Sequence, residues 1–461
     1  MQIFWHRRDP RIHDNAGLTA ATRSGNVLPV FVYDTELLGT IGSRQRSFYF
    51  QCIRELQDQY RSLGSDLLVR SGSPEEVLPN IAAKHNADRV VYNEHYRPAR
   101  RNREKAVKDT LSAEDIDIKS LTDLVLVSPS RLDAKYPNHS QFYDDWEDVP
   151  KLSPFSDPDT DAFIEFSDAK TVPSPSSDIE LPKPGYEGAR ERLDTFIDEG
   201  ITSYNDNRDD LAGAVESPKT TVSRMSPYIS VGAIGIREIW AAASEVYNAV
   251  HGSERRNVDK YRYELSWREQ NYHLLYYMPD LAVSNYKTFP NDIDWRNDQE
   301  DFKAWANGKT GYPLVDAGMR QLEQEGYIHN RSRQVVASFL TKHLLIDWRK
   351  GARYFTKQLI DHDYASNHGS WQWIASTGTD SVDVRIFDPV SQLAKYDSGA
   401  KYVKQYIPEL QDVPADKIVD WPTLSPGERS QLAPQYPHPI VDRNGGYERA
   451  QRVFEEALGK R

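Results

Sequence analysis

Short apolar, β-branched runs and longer stretches with apolar residues at helical spacing alternate through the first part of the chain. The runs are QIFW from residue 2, VLPVFVYD at 27–34, SDLLVR at 65–70 and RVVYNE at 89–94. Between them, RQRSFYFQCIRELQDQYRSLG (44–64) and PEEVLPNIAAKH (74–85) repeat their apolar residues every three or four positions, the signature of helices with one buried face. Strand and helix in alternation predict a parallel sheet covered by helices on both sides. No GxGxxG follows any of these strands, so the pattern does not mark a standard dinucleotide site. From about 131 to 190 the pattern breaks down. KLSPFSDPDTDAF and TVPSPSSDIELPKPG are too rich in Pro, Ser and Asp to sustain a regular element, and the segment reads as a connector. Beyond Gly188 the spacing is helical, as in IREIWAAASEVYNAV and NRSRQVVASFLTKHLLIDW, which predicts an all-α second part.

Composition adds bounds. The 461 residues are 38% hydrophobic and 27% charged, enough for two or three domains. The single cysteine, Cys52, excludes an internal disulfide and any cysteine-built metal cage, and no metal site is expected. No apolar run of 18 residues occurs, so the expectation is a soluble, monomeric protein of the reducing cytoplasm, without a membrane span. The net charge of −12 argues against coating nucleic acid through bulk charge, yet it allows a local basic groove. Acidic stretches such as SYNDNRDD also suit solubility at high salt.

The candidate chemistry lies in the helical part. GSWQWIASTGTD (369–380) sets two tryptophans two residues apart, about 200° around a helix, so Trp371 and Trp373 need different neighbours. Each is open to a plain core role. SRMSPYIS (223–230) offers hydroxyls ahead of a helix, either a phosphate cradle or a simple N-cap. Asp361 and Asp363 in DHDYASNHG are either ligand-facing carboxylates or a solvated turn. Glu264 stands three residues before Trp267, on the same helix face, as a working acid or a buried ion-pair partner.

Taken in order, SRMSPYIS, ELSWREQNYHL (264–274), AWANGKTGYPLVDAGMRQL (304–322), HNRSRQVVASFL (329–340) and LLIDWRKGARYF through GSWQWIASTGTD resemble the photolyase/cryptochrome family. FWHRRDPRIHDN at 4–15 and YPHPIVD at 436–442 resemble its two ends. The resemblance implies an α/β, Rossmann-like parallel-sheet antenna domain (1–130), a linker (131–190) and an all-α FAD-binding and DNA-binding domain (191–461). It implies light-driven repair of DNA containing pyrimidine dimers, nearest to the cyclobutane branch, with reduced FAD as the catalytic cofactor. The alternative is a cryptochrome-type blue-light receptor that binds FAD without repair.

By the same resemblance, Tyr204, Ser223, Arg224, Met225 and Ser226 hold the pyrophosphate and adenosine side, and Arg268, Asn330, Arg333, Asp361, Asp363 and Asn367 surround the rest of the flavin, with Arg333 paired to Asp361 and Asn367 facing the reactive ring edge. Trp371, Trp348 and Trp295 correspond to an electron relay. Glu264, Trp267, Asn330, Asn367 and Trp373 are the catalytic set, with Trp267 and Trp373 as walls for a flipped-out dimer. Arg208, Glu264, Trp267, Arg331, Gln334, Trp373 and Arg385, with Lys395, form the DNA side.

The chain departs from the family's pattern at several points. Val222 stands where Thr is usual, Gln334 where Met is common, Gln270 and Asn271 where aromatics are usual, and Ser381–Val384 shortens a rim segment and adds Asp383. Ala99 and Arg100 replace the Asn–Glu pair of folate-binding members, so a second, antenna chromophore is expected to be a deazaflavin rather than a folate. The cluster Arg97, Arg100, Arg101 and Arg103 either holds an anionic cofactor or coats a helix.

Overall fold

The computed structural model describes residues 1–168, 170–379 and 384–460. Five parallel strands, β1 (Gln2–His6), β2 (Val27–Tyr33), β3 (Leu68–Ser71), β4 (Arg89–Asn93) and β5 (Asp117–Leu121), form one sheet in the order β3-β2-β1-β4-β5. Gln2 is in register with Val27 on one side and Arg89 on the other. Side chains alternate across the sheet as a period of two requires. Ile3 and Trp5 join Leu28, Val30 and Val90 in one apolar cluster, while Phe4 joins Val27, Phe31 and Val91 in another. The helices α1 (Ser43–Ser62), α2 (Pro74–His85) and α3 (Pro98–Ala113) supply the cover. Both α2 and α3 begin with proline at a first-turn position, where a missing N–H costs nothing.

Two elements differ from the sequence reading. β5 went unread because it is an edge strand, DIKSL, with exposed Asp117, Lys119 and Ser120 and therefore no apolar run. The stretch 131–190 is not wholly irregular: it contains α4 (His139–Asp148) and the start of α5 (Gly185–Glu199). Asn138 caps α4 by accepting the Gln141 N–H at 3.0 Å, and Phe142 and Trp146 are fully buried.

Among the described residues no strand follows Leu121. The helices that matter below are α6 (Gly252–Tyr277), α7 (Asn330–Ser338), α8 (Trp348–Gln358) and α9 (Tyr364–Ala375). A π-helical turn, Phe339–His343, continues α7 and carries the fully buried Lys342. Lys342 donates to the Ala375 carbonyl at 2.8 Å and to Ser376 Oγ at 3.0 Å, which fixes the C-terminal end of α9. Burial pushes this ammonium well below its ordinary pKa.

The opening motif FWHRRDPRIHDN locks sheet and helices together. Arg11 pairs with Asp123 at 2.5 Å, and Arg237 from the helical part reaches Asp14 at 2.7 Å and Asp123 at 2.5 Å, all nearly inaccessible to solvent. Gly232 permits the close approach: a Cβ there would lie 2.0 Å from the Arg8 carbonyl oxygen, and its φ of +78° also favours glycine.

Candidate functional site

A cavity of about 630 Å³ opens between α6, α7, α8 and α9. That volume is in the range of cofactor-sized pockets. On α6, Glu264, Trp267, Arg268 and Asn271 follow the i, i+3, i+4, i+7 rule and face it together. The adjoining side of α6 buries Val258, Tyr261, Leu265 and Tyr272 and the far side Ser266, Glu269 and His273, so the helix is enclosed nearly all round. From α7 come Asn330, Arg333 and Gln334; from α9 and the turn before it come Asp361, Asp363, Asn367, Trp371 and Trp373.

One end of the cavity is built from carboxylates. Asp361 Oδ2 accepts from Arg333 Nη2 at 2.6 Å and from Ser226 Oγ at 2.7 Å, the pair with Arg333 that the resemblance implies. Its other oxygen, Oδ1, is buried without a hydrogen-bond partner among the described residues, an acceptor suited to a ligand hydroxyl or ring N–H. Asp363 caps α9 by accepting the Ser366 N–H at 2.9 Å, pairs with Arg8 at 2.7 Å and accepts from the Tyr272 hydroxyl. Burial alone would raise its pKa; Arg8, then Arg268 and Tyr272, overcome that and hold the carboxyl well below the usual range. Asn367 donates through Nδ2 to the Ala352 carbonyl at 3.0 Å and to Thr356 Oγ1 at 3.4 Å, so its carbonyl oxygen is the end left for a ligand.

The other end is aromatic and charged. The Trp267 and Trp373 rings stand 6.3 Å apart at 66°, and among the described residues Trp373 Nε1 is buried without a partner. Arg385 lies over the Trp373 ring, 4.1 Å from its centre. The Glu264 carboxylate is held between Arg208 and Lys260, the latter at 2.8 Å. Behind Trp267 lies His139 of α4, stacked at 3.7 Å and 7°. His139 bonds the Tyr263 hydroxyl at 2.9 Å and Ser266 Oγ at 3.0 Å, and burial, with Lys260 adding to it, pushes its pKa down to about 3, so the ring is neutral at pH 7.

Trp371 turns away from Trp373. It packs edge-on to Phe355 at 5.1 Å and Trp305 at 6.2 Å, over Gly351, where a Cβ would lie 2.2 Å from the indole. Trp348, fully buried, shares the same apolar cluster and donates to Asn285 Oδ1 at 3.0 Å; Trp295 packs at its half-buried edge against Phe454. Trp371 thus lines the cavity, Trp348 is fully buried in the core and Trp295 is partly exposed.

Other expected residues sit off the cavity. Of Tyr204, Ser223, Arg224, Met225 and Ser226, Ser226 alone lines it. Tyr204 packs on Phe196 and Tyr261, Met225 is 1% exposed in the apolar core, and Arg224 pairs with Glu325 at 2.7 Å. Ser223 Oγ accepts the Met225 N–H at 3.4 Å, a local turn contact. Arg331, expected to reach a phosphate, is instead 8% exposed and engages Asp209 at 2.6 Å, Gln334 at 2.8 Å and the Tyr396 ring. Lys395 is exposed beside Tyr396. Of the Ser381–Val384 departure, all but Val384 lies outside the described residues. His139, Lys260, Trp305 and Arg8 were not read from the sequence, and Asn271 only as a departure from the family's aromatics. Lys260 and Asn271 had a signal, since they continue the Glu264 face at i−4 and i+7; the others meet the site only through the fold.

Residues 261–456 match the family model described as the FAD binding domain of DNA photolyase, and residues 2–159 match that of DNA photolyase. The chain is 40% identical over the full length of both sequences to a deoxyribodipyrimidine photo-lyase of Halobacterium salinarum. Among solved structures it is similar to a class III photolyase of Agrobacterium tumefaciens, with TM-score 0.85 and 33% identity over 100% of this chain and 98% of that one. It is also similar to a cryptochrome of Synechocystis, with TM-score 0.88 and 27% identity over 98% and 99%. With sheet, helical cavity and full-length similarity in agreement, the chain belongs to the DNA photolyase family.

Proposed function

We propose that this protein is a light-driven DNA repair enzyme that splits cyclobutane pyrimidine dimers with FAD held in the α6–α9 cavity. The observation that carries the reading is the two-ended cavity, carboxylates and an amide oxygen at one end, two indoles set edge-to-face and Glu264 at the other. The unpartnered Asp361 Oδ1, the free Asn367 carbonyl and the Arg268 and Arg333 guanidiniums fit the hydroxyls, ring edge and phosphates of a flavin nucleotide. FAD, when bound and reduced, supplies an electron on excitation by blue light and takes it back after the dimer opens.

The chain's own residues do the rest. Trp267 and Trp373 replace the stacking that a flipped-out dimer loses on leaving the duplex. Arg208 and Lys260 fix the Glu264 carboxyl at the wall, where it can hydrogen-bond pyrimidine edges. Trp371, Trp348 and Trp295 bring electrons from the surface when the flavin is oxidised. The protein acts as a cytoplasmic monomer on genomic DNA in this reading. Of possible second chromophores, Ala99 and Arg100 favour a deazaflavin over a folate, and room for either depends on the sheet crevice.

A cryptochrome-type receptor is the rival that Gln334, polar Gln270 and Asn271, and the likeness to the Synechocystis cryptochrome favour. Binding to a duplex with one cyclobutane thymine dimer, compared with the undamaged duplex, separates the two. Repair requires tighter binding to the damaged duplex, by at least ~10-fold, with the preference reduced in Trp267→Ala and Trp373→Ala since each base stack is worth about 1–3 kcal/mol. Equal binding to both duplexes supports the rival.

A further inference from the structure

We propose that the crevice at the carboxyl ends of β1 and β4 binds a small inorganic anion of halide size and has no room for a second chromophore. The sheet order places β2 and β3 on one side of β1 and β4 and β5 on the other, so this is the point where strand order switches and where open parallel sheets offer a ligand crevice. In this chain the crevice is filled by its own side chains. Arg7 lies over the rings of Trp5 at 4.7 Å and Tyr92 at 5.3 Å, pairs with Glu104 and donates to the Asn93 carbonyl at 3.3 Å. The Tyr49 hydroxyl donates to the Arg7 carbonyl. Arg103 ties α3 to Asp34 at 2.9 Å, Glu36 at 2.9 Å and Glu75 at 2.5 Å, closing the outer side.

What remains are small cavities of about 30, 40 and 30 Å³, each touching Arg100. Such a volume takes a water or a halide, whereas drug-sized ligands need roughly 300 Å³ or more. The flavin cavity of the same molecule, about 630 Å³, shows that the fold keeps a cofactor-sized space open where the sequence provides one.

Asp9, Glu94 and Asp123 also line the crevice, but its arginines outnumber them. Arg8 is matched by Asp363 and Arg7 by Glu104, but Arg7 Nη2 is buried without a partner among the described residues, on a side chain only 5% exposed. Among the described residues the Arg97 guanidinium meets the Thr40 hydroxyl, at 2.8 Å, and the Tyr364 ring, and no carboxylate. Among the described residues no carboxylate pairs with the Arg100 guanidinium; burial first, then Arg7, Arg8 and Arg97 push its pKa down to about 9. The first turn of α3 also opens here, adding its N-terminal dipole. An anion beside Arg7 and Arg100, which share two of these cavities, would satisfy the orphaned N–H and relieve the repulsion. The sequence-based cluster thus divides: Arg103 is structural, Arg101 lies over Tyr276, and Arg97 and Arg100 face the crevice.

This inference is independent of the repair reading. The test uses the full-length flavoprotein at constant ionic strength while gluconate is exchanged for bromide. The expected result is a saturable rise in thermal midpoint of about 2–5 °C, the scale of a filled anion site, lost in Arg100→Gln and kept in Arg101→Gln. Crystals soaked in bromide should show an anomalous peak within hydrogen-bond distance of Arg7 and Arg100, a readout that does not depend on the variant folding. Reconstitution with 8-hydroxy-5-deazaflavin, FMN or a folate should leave no second chromophore bound after desalting. A near-stoichiometric second chromophore, a bromide effect that survives Arg100→Gln, or a soaked crystal without the peak would each overturn the proposal.

Discussion

At the residue scale, Trp371 and Trp373 show how far chemistry can be read from spacing alone. Two residues on a helix face apart, and here one indole reaches from the cavity wall into the apolar core over Gly351 while the other stands edge-to-face with Trp267. The Asp361–Arg333 pair was also legible, through the family motif that contains it. What the motif could not convey was which atoms stay free: Asp361 Oδ1 and the Asn367 carbonyl are left for a ligand only because Ser226, Arg333, Ala352 and Thr356 engage the other ends. Trp348 gives the sharpest test at this scale. Trp348→Phe keeps an aromatic ring in a fully buried position but removes an oxidisable indole. Photoreduction of oxidised flavin is expected to fall by at least ~10-fold, since each 1.4 kcal/mol of lost driving force or barrier is a factor of ten. Absorbance under blue light with an external donor checks this, and undiminished photoreduction would remove Trp348 from the relay.

At the scale of elements, the strands of the N-terminal sheet with apolar runs and the long helices were legible because their burial follows period two or period 3.6. β5 was not, because a polar edge strand carries no such period. α4 was hidden for a different reason: Pro, Ser and Asp dominate its surroundings, while Phe142 and Trp146, four residues apart, carry its short buried stripe. That helix matters to the site because His139 backs Trp267. A neutral, buried histidine makes the contact pH-dependent. Its folded pKa, about 3, lies below the unfolded value near 6.5, so its contribution to stability is complete above pH 6.5 and is lost progressively as pH falls toward 3. His139→Phe has no proton to take up and keeps a ring against Trp267. Denaturant titrations should therefore show the variant gaining on the wild type by about 2 kcal/mol between pH 7.5 and pH 5. A stability difference that stays constant over that range would contradict the neutral stack.

At the scale of the molecule, the opening motif joins the two parts of the fold through ion pairs that only tertiary structure brings together. Asp14 and Asp123 lie far from Arg237 in sequence, yet each pair is almost wholly buried. Removing one member leaves a buried charge unmatched, so Arg237→Met should cost about 3–5 kcal/mol in unfolding free energy, with both sheet and helical signals lost together. A near-neutral effect would mean that the interface relaxes around the two carboxylates. Arg8 belongs to the same motif and reaches Asp363, so the sheet also braces one edge of the flavin cavity.

The central claim is light-driven repair at that cavity, and its direct test is dimer loss. The purified protein, with flavin chemically reduced, is mixed with a duplex carrying one cyclobutane thymine dimer and illuminated with blue light, beside a dark control and a duplex carrying a 6-4 product. The account requires loss of the cyclobutane dimer in the light alone, with the 6-4 product unchanged. A cyclobutane dimer that survives illumination while the flavin remains photoreducible would contradict it.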